Sequence, residues 1–366
     1  MEVMERLGRE KKVILFGQED YLSRVSSYLS ELFPSMETAC FSFPLQYDRP
    51  DATGFEMSCF EDELRKQDSS LVIVAFSHKF HDVAGKYLEE HGFADRLYYD
   101  AAVDNALKKK FFASYFAREG REFVLLEDVI PACPASEKIV HVYQARSIYD
   151  KAIANQPGEA SEFMVPIQVG AALTDKKIAS LRDDTGVNIS ERNRRYSEMT
   201  AFYWMWKNDI DADYLGICHY RRLWVKLDEI AKKLAIADID AVLPLPTLCR
   251  QSVYEDYMLK HIPNVWQPMM EVLKSHSPEY WDAAQEIFRD RIFYASNMCI
   301  LSRKVLDDLC EWMFPVVMDV EKVVGDIENP YFNRYAGFCT ERLITLYFLY
   351  NKNHFKIAHA EKTFIG

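Results

Sequence analysis

Short runs of this 366-residue chain are apolar from end to end, and they constrain the fold more than any other feature. Lys11–Gly17 contains Val13-Ile14-Leu15-Phe16, and Leu71–Ser77 contains Leu71-Val72-Ile73-Val74-Ala75-Phe76. Strands of this kind have no polar face, so they belong inside a covered sheet. Between them Leu22, Val25, Tyr28, Leu29 and Leu32 recur at helical steps. Lys86–Gly92 closes another helix, and Arg96–Tyr99 reads as a third strand. Strand and helix alternate, which predicts a small, doubly wound, Rossmann-like α/β domain over residues 1–130.

The glycine turn of that domain is Gly17-Gln18-Glu19-Asp20-Tyr21-Leu22. It keeps only the first glycine of a dinucleotide-binding G-x-G-x-x-G. Glu19 stands where backbone would have to approach a pyrophosphate, and its charge would repel it. The domain is therefore expected to be degenerate and to hold no dinucleotide. Pro131-Ala132-Cys133-Pro134-Ala135-Ser136 marks a linker over 131–138, and Ile139-Val140-His141-Val142-Tyr143 opens a second domain over 139–366.

Acidic residues outnumber basic ones, 56 to 44, for a net charge of -12. That balance excludes a general nucleic-acid binder, which needs clustered Lys and Arg. No apolar run is long enough to span a bilayer, and the charged start, Met1–Lys12, is no secretory signal. The sequence thus predicts a cytoplasmic protein, with room for peripheral contact at the inner face of a membrane. Its eight cysteines are dispersed, with no C-x-x-C and no zinc spacing, so they read as reduced thiols.

The second domain concentrates its polar chemistry between Arg182 and Trp224. A turn-rich loop, Leu181–Ser190, precedes a helix expected from about Arg195 to Asn208, with Asn193 as its cap. Met199, Phe202, Tyr203 and Trp206 give that helix an apolar face. Arg192, Arg194 and Arg195 gather at its start, where helix amides favour an anion such as a diphosphate. The alternative is a solvated set pairing with Glu191 and Asp184. Next, the buried strand Tyr214–Cys218 ends abruptly in His219-Tyr220-Arg221-Arg222. Ligands bind beyond the carboxyl ends of such strands, and paired guanidiniums suit a diphosphate. Strand alternation would put His219 and Arg221 on one face. End-of-strand salt bridges are the plainer alternative.

Asp211-Ala212-Asp213 and Asp238-Ile239-Asp240 both spell D-x-D, a spacing that holds divalent cations elsewhere. Each precedes a strand, on the wrong side of the sheet, so no metal ligand is assigned and the need for a divalent metal stays open. Tyr254, Tyr257, His261 and Trp266 could stack on sugar rings or sit in the core. Ser296-Asn297 precede an apolar strand, Met298–Leu301. Glu341, near the start of a helix whose Leu343, Leu346, Tyr347 and Tyr350 face the core, is a candidate general base. Its alternative is a first-turn Glu paired with Arg342.

These motifs resemble a bacterial family catalogued as a domain of unknown function and found in capsular and exopolysaccharide gene clusters. The matching segments are Pro166–Leu173 (PIQVGAAL), Asp183–Ser190 (DDTGVNIS), Tyr196–Asn208, Asp213–Arg222 (DYLGICHYRR), Asn297–Arg303 and Gly337–Leu343. The resemblance runs from about Ile139 to Tyr350. Gln144-Ala145-Arg146 stands where the family often has His-Lys, and Val187 where a polar residue is usual. The resemblance implies a GT-A-like fold and transfer of a hexosyl group, galactosyl or galactofuranosyl favoured, from a UDP-sugar to a glycan or lipid-linked glycan acceptor. On that basis Gln168, Gly170, Asp183, Asp184, Asn188, Arg194 and Asn297 are expected to hold the donor. Glu341, His219, Arg221 and Arg222 are expected to carry the reaction, with no tightly bound cofactor. The alternative is a non-catalytic assembly or regulatory protein of a polysaccharide pathway.

Overall fold

A computed structural model describes residues 3–42, 70–130, 138–153 and 161–365. The chain divides into two compact units, Met1–Arg121 and Glu122–Gly366. The division falls ahead of the expected linker, whose residues 131–137 lie outside the described ones. The segment before it is tied to the second unit: Leu126 is buried there, Val124 and Val129 pack against the same core, and the His359 amide donates to the Val124 carbonyl at 2.8 Å.

The first unit is a four-stranded parallel sheet in the order β2-β1-β3-β4. Its strands are β1 (Lys12–Gly17), β2 (Glu37–Ser42), β3 (Leu71–Ala75) and β4 (Arg96–Tyr98). Helices Glu19–Leu32, His81–Glu90 and Ala101–Arg118 accompany them. The edge strand β2 and the helix Ala101–Arg118 were not expected from the apolar pattern. The helix has a weak amphipathic signal but a clear start, where the Asp100 side chain accepts from the Val103 amide at 2.9 Å. Gly17 has a packing role: a Cβ there would meet the Ala75 carbonyl oxygen at 2.0 Å. The glycine lets two strand ends approach, and Gln18 then accepts from the Ser77 amide at 3.2 Å.

The second unit is built on a seven-stranded sheet in the order β14-β10-β13-β8-β5-β6-β7. These are β5 (Val140–Arg146), β6 (Met164–Gln168), β7 (Leu181–Arg182), β8 (Tyr214–His219), β10 (Ala241–Pro244), β13 (Ile300–Ser302) and β14 (Ile357–Ala360). Two short antiparallel pairs accompany it: β9 (Arg222–Trp224) with β15 (Lys362–Phe364), and β11 (Thr247–Leu248) with β12 (Ile292–Phe293). Helix Leu227–Ile236 buries Ile230, Ala231 and Leu234 in a core with Val140, Val142, Val242 and Ile300. Helices Met199–Asn208, Arg303–Val324 and Tyr335–Tyr350 form another apolar layer, in which Trp206 stacks on Phe314 at 5.8 Å.

Every large-sheet pairing is parallel except those of β13, which runs antiparallel to β8 and β10. That reversal positions the site. Ile300 pairs with Gly216, so the residues before β13 run alongside the carboxyl end of β8. Gly216 permits this, because a Cβ there would lie 2.6 Å from the Ile300 side chain.

Two helix readings are corrected. The expected helix from Arg195 to Asn208 is two, Asn193–Tyr196 and Met199–Asn208, broken at Ser197 with φ 52°. Asn193 does not cap; it lies inside the first helix, and its amide donates forward to the Ser197 carbonyl at 2.7 Å and Thr200 Oγ1 at 3.0 Å. Helix Tyr335–Tyr350 starts before Gly337, which puts Glu341 in its second turn, and Tyr350 is exposed instead of facing the core.

Candidate active site

Four side chains from distant parts of the sequence converge at the carboxyl end of β8. His219 is its last residue. Glu198 sits at the helix break and places Oε1 3.9 Å from His219 Nε2. Asn297 donates to Glu198 Oε1 at 2.7 Å and to the Gly337 carbonyl at 3.1 Å. Glu341 accepts from the Ser296 amide at 2.6 Å and from Arg342 Nη1 at 2.9 Å. The Ser296–Asn297 turn therefore grips both carboxylates. Its backbone is left-handed at Ser296 (φ 83°) and Asn297 (φ 52°). With Ser197, these are three of the four described non-glycine residues with positive φ. Each such residue costs about 1–3 kcal/mol and persists because its surroundings enforce it, and such strain gathers where geometry serves a ligand.

The electrostatics separate the two carboxyls. Burial holds Glu341 above the ordinary carboxyl range against the pull of Arg342, and the Glu198 charge adds to the rise. Burial would raise Glu198 as well, but the Asn297 amide and the Arg334 charge pull it down, joined by His219 when that ring is protonated, and hold Glu198 low. A pair of acids pushed apart in this way has distinct proton roles. Burial drives His219 down to about 4, with Arg222 and Lys362 helping and Glu198 opposing. At neutral pH the ring is uncharged. Its Nε2 and the Asn297 Oδ1 are buried and have no hydrogen-bond partner among the described residues. Buried polar atoms are rarely left so, and a ligand hydroxyl would satisfy both.

The lowered His219 value sets a pH window. Between its ordinary 6.5 and about 4, the unfolded chain takes up a proton that the folded chain refuses. Stability is intact above the upper value and falls as the pH drops through the window, by on the order of 3 kcal/mol. Urea unfolding midpoints at pH 7 and pH 4.5 should therefore diverge less for His219→Asn than for the wild type. Parallel losses in the two proteins would mean that the folded ring takes up the proton.

The arginines after His219 part ways. The chain bends at Tyr220–Arg221, so strand alternation ends there and the shared face expected for His219 and Arg221 does not carry over as a strand property. Arg221 donates to the Ala152 carbonyl at 3.0 Å and lies over Tyr220. Arg222 lies 5.7 Å over the Phe364 ring, and its charge acts on both His219 and Glu341. β15 brings Lys362 beside it; that ammonium donates to the Ala295 carbonyl at 2.9 Å and Ser296 Oγ at 3.3 Å. Arg146 ends the neighbouring β5, where Gln144 Oε1 accepts from its Nε at 2.7 Å.

The remaining expected residues except Arg194 form a second, contiguous network. Asp183 is fully buried and accepts from the Gly170 and Ala171 amides at 2.9 and 3.0 Å, Ser190 Oγ at 2.5 Å and Thr200 Oγ1 at 2.6 Å. Those four donors match a carboxylate's capacity, so Asp183 braces the loop from inside. Gln168 is equally buried, donating to the Lys176 carbonyl at 2.7 Å and accepting from the Ile178 amide at 3.0 Å. Gly170 adopts φ 63°, and a Cβ there would meet Asn193 Oδ1 at 2.7 Å. Asp184 pairs with Arg182, and Asn188 bridges the Gly186 carbonyl and the Ser190 amide. The break at Ser197 joins the networks, because Thr200 reaches Asp183 while Glu198 reaches Asn297.

Arg192 and Arg195 pair with Glu321, and Arg195 also with Asp326. Their partners come from a distant helix and the turn after it, not from Glu191 and Asp184. Arg194 is exposed. The D-x-D pairs lie at the amino ends of β8 and β10. There Asp213 accepts from the Ile139 amide, Asp240 accepts from the Lys356 amide and Asp238 pairs with Lys356. Among the described residues no group of three or more His, Cys, Asp or Glu could hold a metal ion.

Sequence reasoning missed Glu198, Lys362 and the inward role of Arg342. Glu198 lies off the apolar face of the unbroken helix the sequence predicts, and the break at Ser197 brings it to Asn297 and His219. Lys362 has no local signal, since its place depends on β15 pairing with β9. Arg342 is 1% exposed and joins Glu341 to Asp256, 3.2 Å away.

Known proteins agree with this architecture. A solved structure titled WbbM bifunctional glycosyltransferase, in its apo form, matches with a TM-score of 0.56 and 24% identity. The match covers 62% of this chain and 45% of that one, so this chain spans less than half of that protein's length. The fold is thus α/β and GT-A-like. No curated protein matches the chain. No helix among the described residues is long and apolar enough to cross a membrane. Residues 151–353, more than half of the chain, match the family described as "Domain of unknown function (DUF4422)", and the chain belongs to that family.

Proposed function

We propose that the second unit transfers a hexosyl group from a UDP-sugar to a hydroxyl of a glycan or lipid-linked glycan acceptor. One observation carries this reading: two largely buried carboxyls, Glu198 and Glu341, meet across the Ser296–Asn297 turn beside His219, and burial and neighbouring charges push their proton affinities apart. The fold's likeness to a protein titled as a glycosyltransferase supports it. Glu341 is the base. As the acceptor oxygen bonds to the anomeric carbon, its proton passes to Glu341. The bond from that carbon to the diphosphate breaks, and the electron pair leaves on UDP. Direct displacement of this kind inverts the anomeric centre.

Arg222, Lys362 and Arg146 give the leaving diphosphate positive charge, and Arg221 holds the strand end against Ala152. Gln168, Gly170, Asp183, Asp184, Asn188 and Arg194 frame the donor, with Asp183 and Gln168 acting as braces. The family resemblance favours galactosyl or galactofuranosyl as the group transferred. The test is thermal shift and UDP release across UDP-, GDP- and TDP-sugars, with and without manganese. UDP-hexoses should raise the melting temperature and yield UDP when glycan is present. If no nucleotide sugar stabilises the protein, the transferase reading fails and a non-catalytic assembly role takes its place.

A further inference from the structure

The sequence offered Tyr254, Tyr257, His261 and Trp266 as ring-stacking candidates, and the structure sorts them. Tyr257 and Trp266 are core residues, with ring centroids 5.0 Å apart. Tyr254 packs edge-on against Trp266 at 5.1 Å. His261 follows the end of helix Val253–Lys260, with its ring 5.2 Å from that of Tyr257. Its ring lies on Phe338 at 3.9 Å and 22°. Tyr331 completes the group, 6.3 Å from His261 in near-parallel orientation and 5.4 Å from Phe338. Tyr331 is 48% exposed and Phe338 is 9% exposed, so the group is anchored below and open above.

This wall adjoins the two carboxylates. Phe338 follows Gly337, whose carbonyl accepts from Asn297, and lies one helical turn before Glu341 and Arg342. Arg334 sits 5.7 Å over the Phe338 ring and donates to Ser197 Oγ at 2.9 Å, next to Glu198. An exposed tyrosine ring, a guanidinium over the neighbouring Phe338 and buried acceptors beside Glu198 and Gly337 suit a pyranose. The C–H face of the sugar covers the ring while its hydroxyls meet the polar groups. The His219 Nε2 and Asn297 Oδ1 described above are those acceptors.

We infer that Tyr331, His261, Phe338 and Arg334 form the subsite for the acceptor's terminal sugar ring, directing one hydroxyl toward Glu341. This rests on the transferase reading for the role of Glu341, but glycan binding can be measured by itself. The probes are methyl β-hexopyranosides and β-linked hexose disaccharides, titrated by saturation-transfer NMR in the presence of UDP. The disaccharides should bind, with saturation passing from aromatic protons to one sugar ring. Tyr331→Ala should weaken that binding about tenfold or more, and Arg334→Gln should weaken it as well. Tyr331→Trp should restore a stacking face and the affinity. UDP-hexose affinity is measured on the same variants.

If the wild type binds none of these glycans, or if Tyr331→Ala binds them as tightly as the wild type, the subsite is wrong. An equal fall in UDP-hexose affinity would also overturn it, by placing Tyr331 on the donor. Glycan binding without any binding of UDP-hexoses would uphold the subsite and sink the transferase reading instead.

Discussion

Glu341→Gln should lower hexosyl transfer by about two to four orders of magnitude, the usual loss when a positioned base is removed. Glutamine keeps the shape and can still accept from the Ser296 amide, but it takes no proton. The ion pair with Arg342 is lost, yet so is the cost of a buried charge, and burial already holds this carboxyl above its ordinary range. The fold should therefore survive, with UDP-sugar affinity close to that of the wild type. The measurement is initial-rate UDP release with saturating donor and glycan, alongside a melting curve. A variant that keeps more than a tenth of the wild-type rate would show that another group takes the acceptor proton.

Arg342→Met should be the most damaging single change to stability. The guanidinium is 1% exposed and joins Glu341 to Asp256. It also lies over the rings of Tyr257 and Phe293, at 5.1 and 4.5 Å. Methionine fills much of the volume but leaves Glu341 without its countercharge and Asp256, among the described residues, with the pair to Lys260 alone. Breaking a buried pair from one side costs roughly 3–5 kcal/mol, more than the pair itself contributes, because a charge is left in the interior. For a unit of this size that is a fall in melting temperature of about 10 °C. Adding Glu341→Gln to Arg342→Met should recover part of the loss. A double variant no more stable than Arg342→Met alone would place the damage in packing instead.

Much of the architecture could be read from the sequence where local chemistry fixes it. The runs at Val13–Phe16, Leu71–Ala75 and Tyr214–Cys218 are strands because nothing in them tolerates water. His219 was visible as the point where such a run turns polar, and Glu341 as a carboxylate in an apolar helix. What could not be read depends on partners far away in the chain. Glu198 was hidden because Asn193 looks like a cap from its neighbours, whereas its amide serves Ser197 and Thr200 once the chain has folded. Arg192 and Arg195 looked like an anion site because Glu321 lies more than a hundred residues later. The direction of β13 has no local signature, since a three-residue apolar run reads the same both ways.

That reversed strand also bears on how the protein must be made. β13 lies between β8 and β10 in space but follows both in sequence. As the chain leaves the ribosome, β8 and β10 emerge with no strand between them, and each presents an unpaired edge until residues 300–302 arrive. The sheet cannot zip up in the order of synthesis. It must hold a gap and then accept a late central strand, which pushes its formation toward the end of translation. Nascent or truncated chains that stop before Ile300 would expose one edge of β8 and both edges of β10, whose other neighbour β14 comes later still, so this stretch of synthesis is where aggregation and chaperone capture should concentrate.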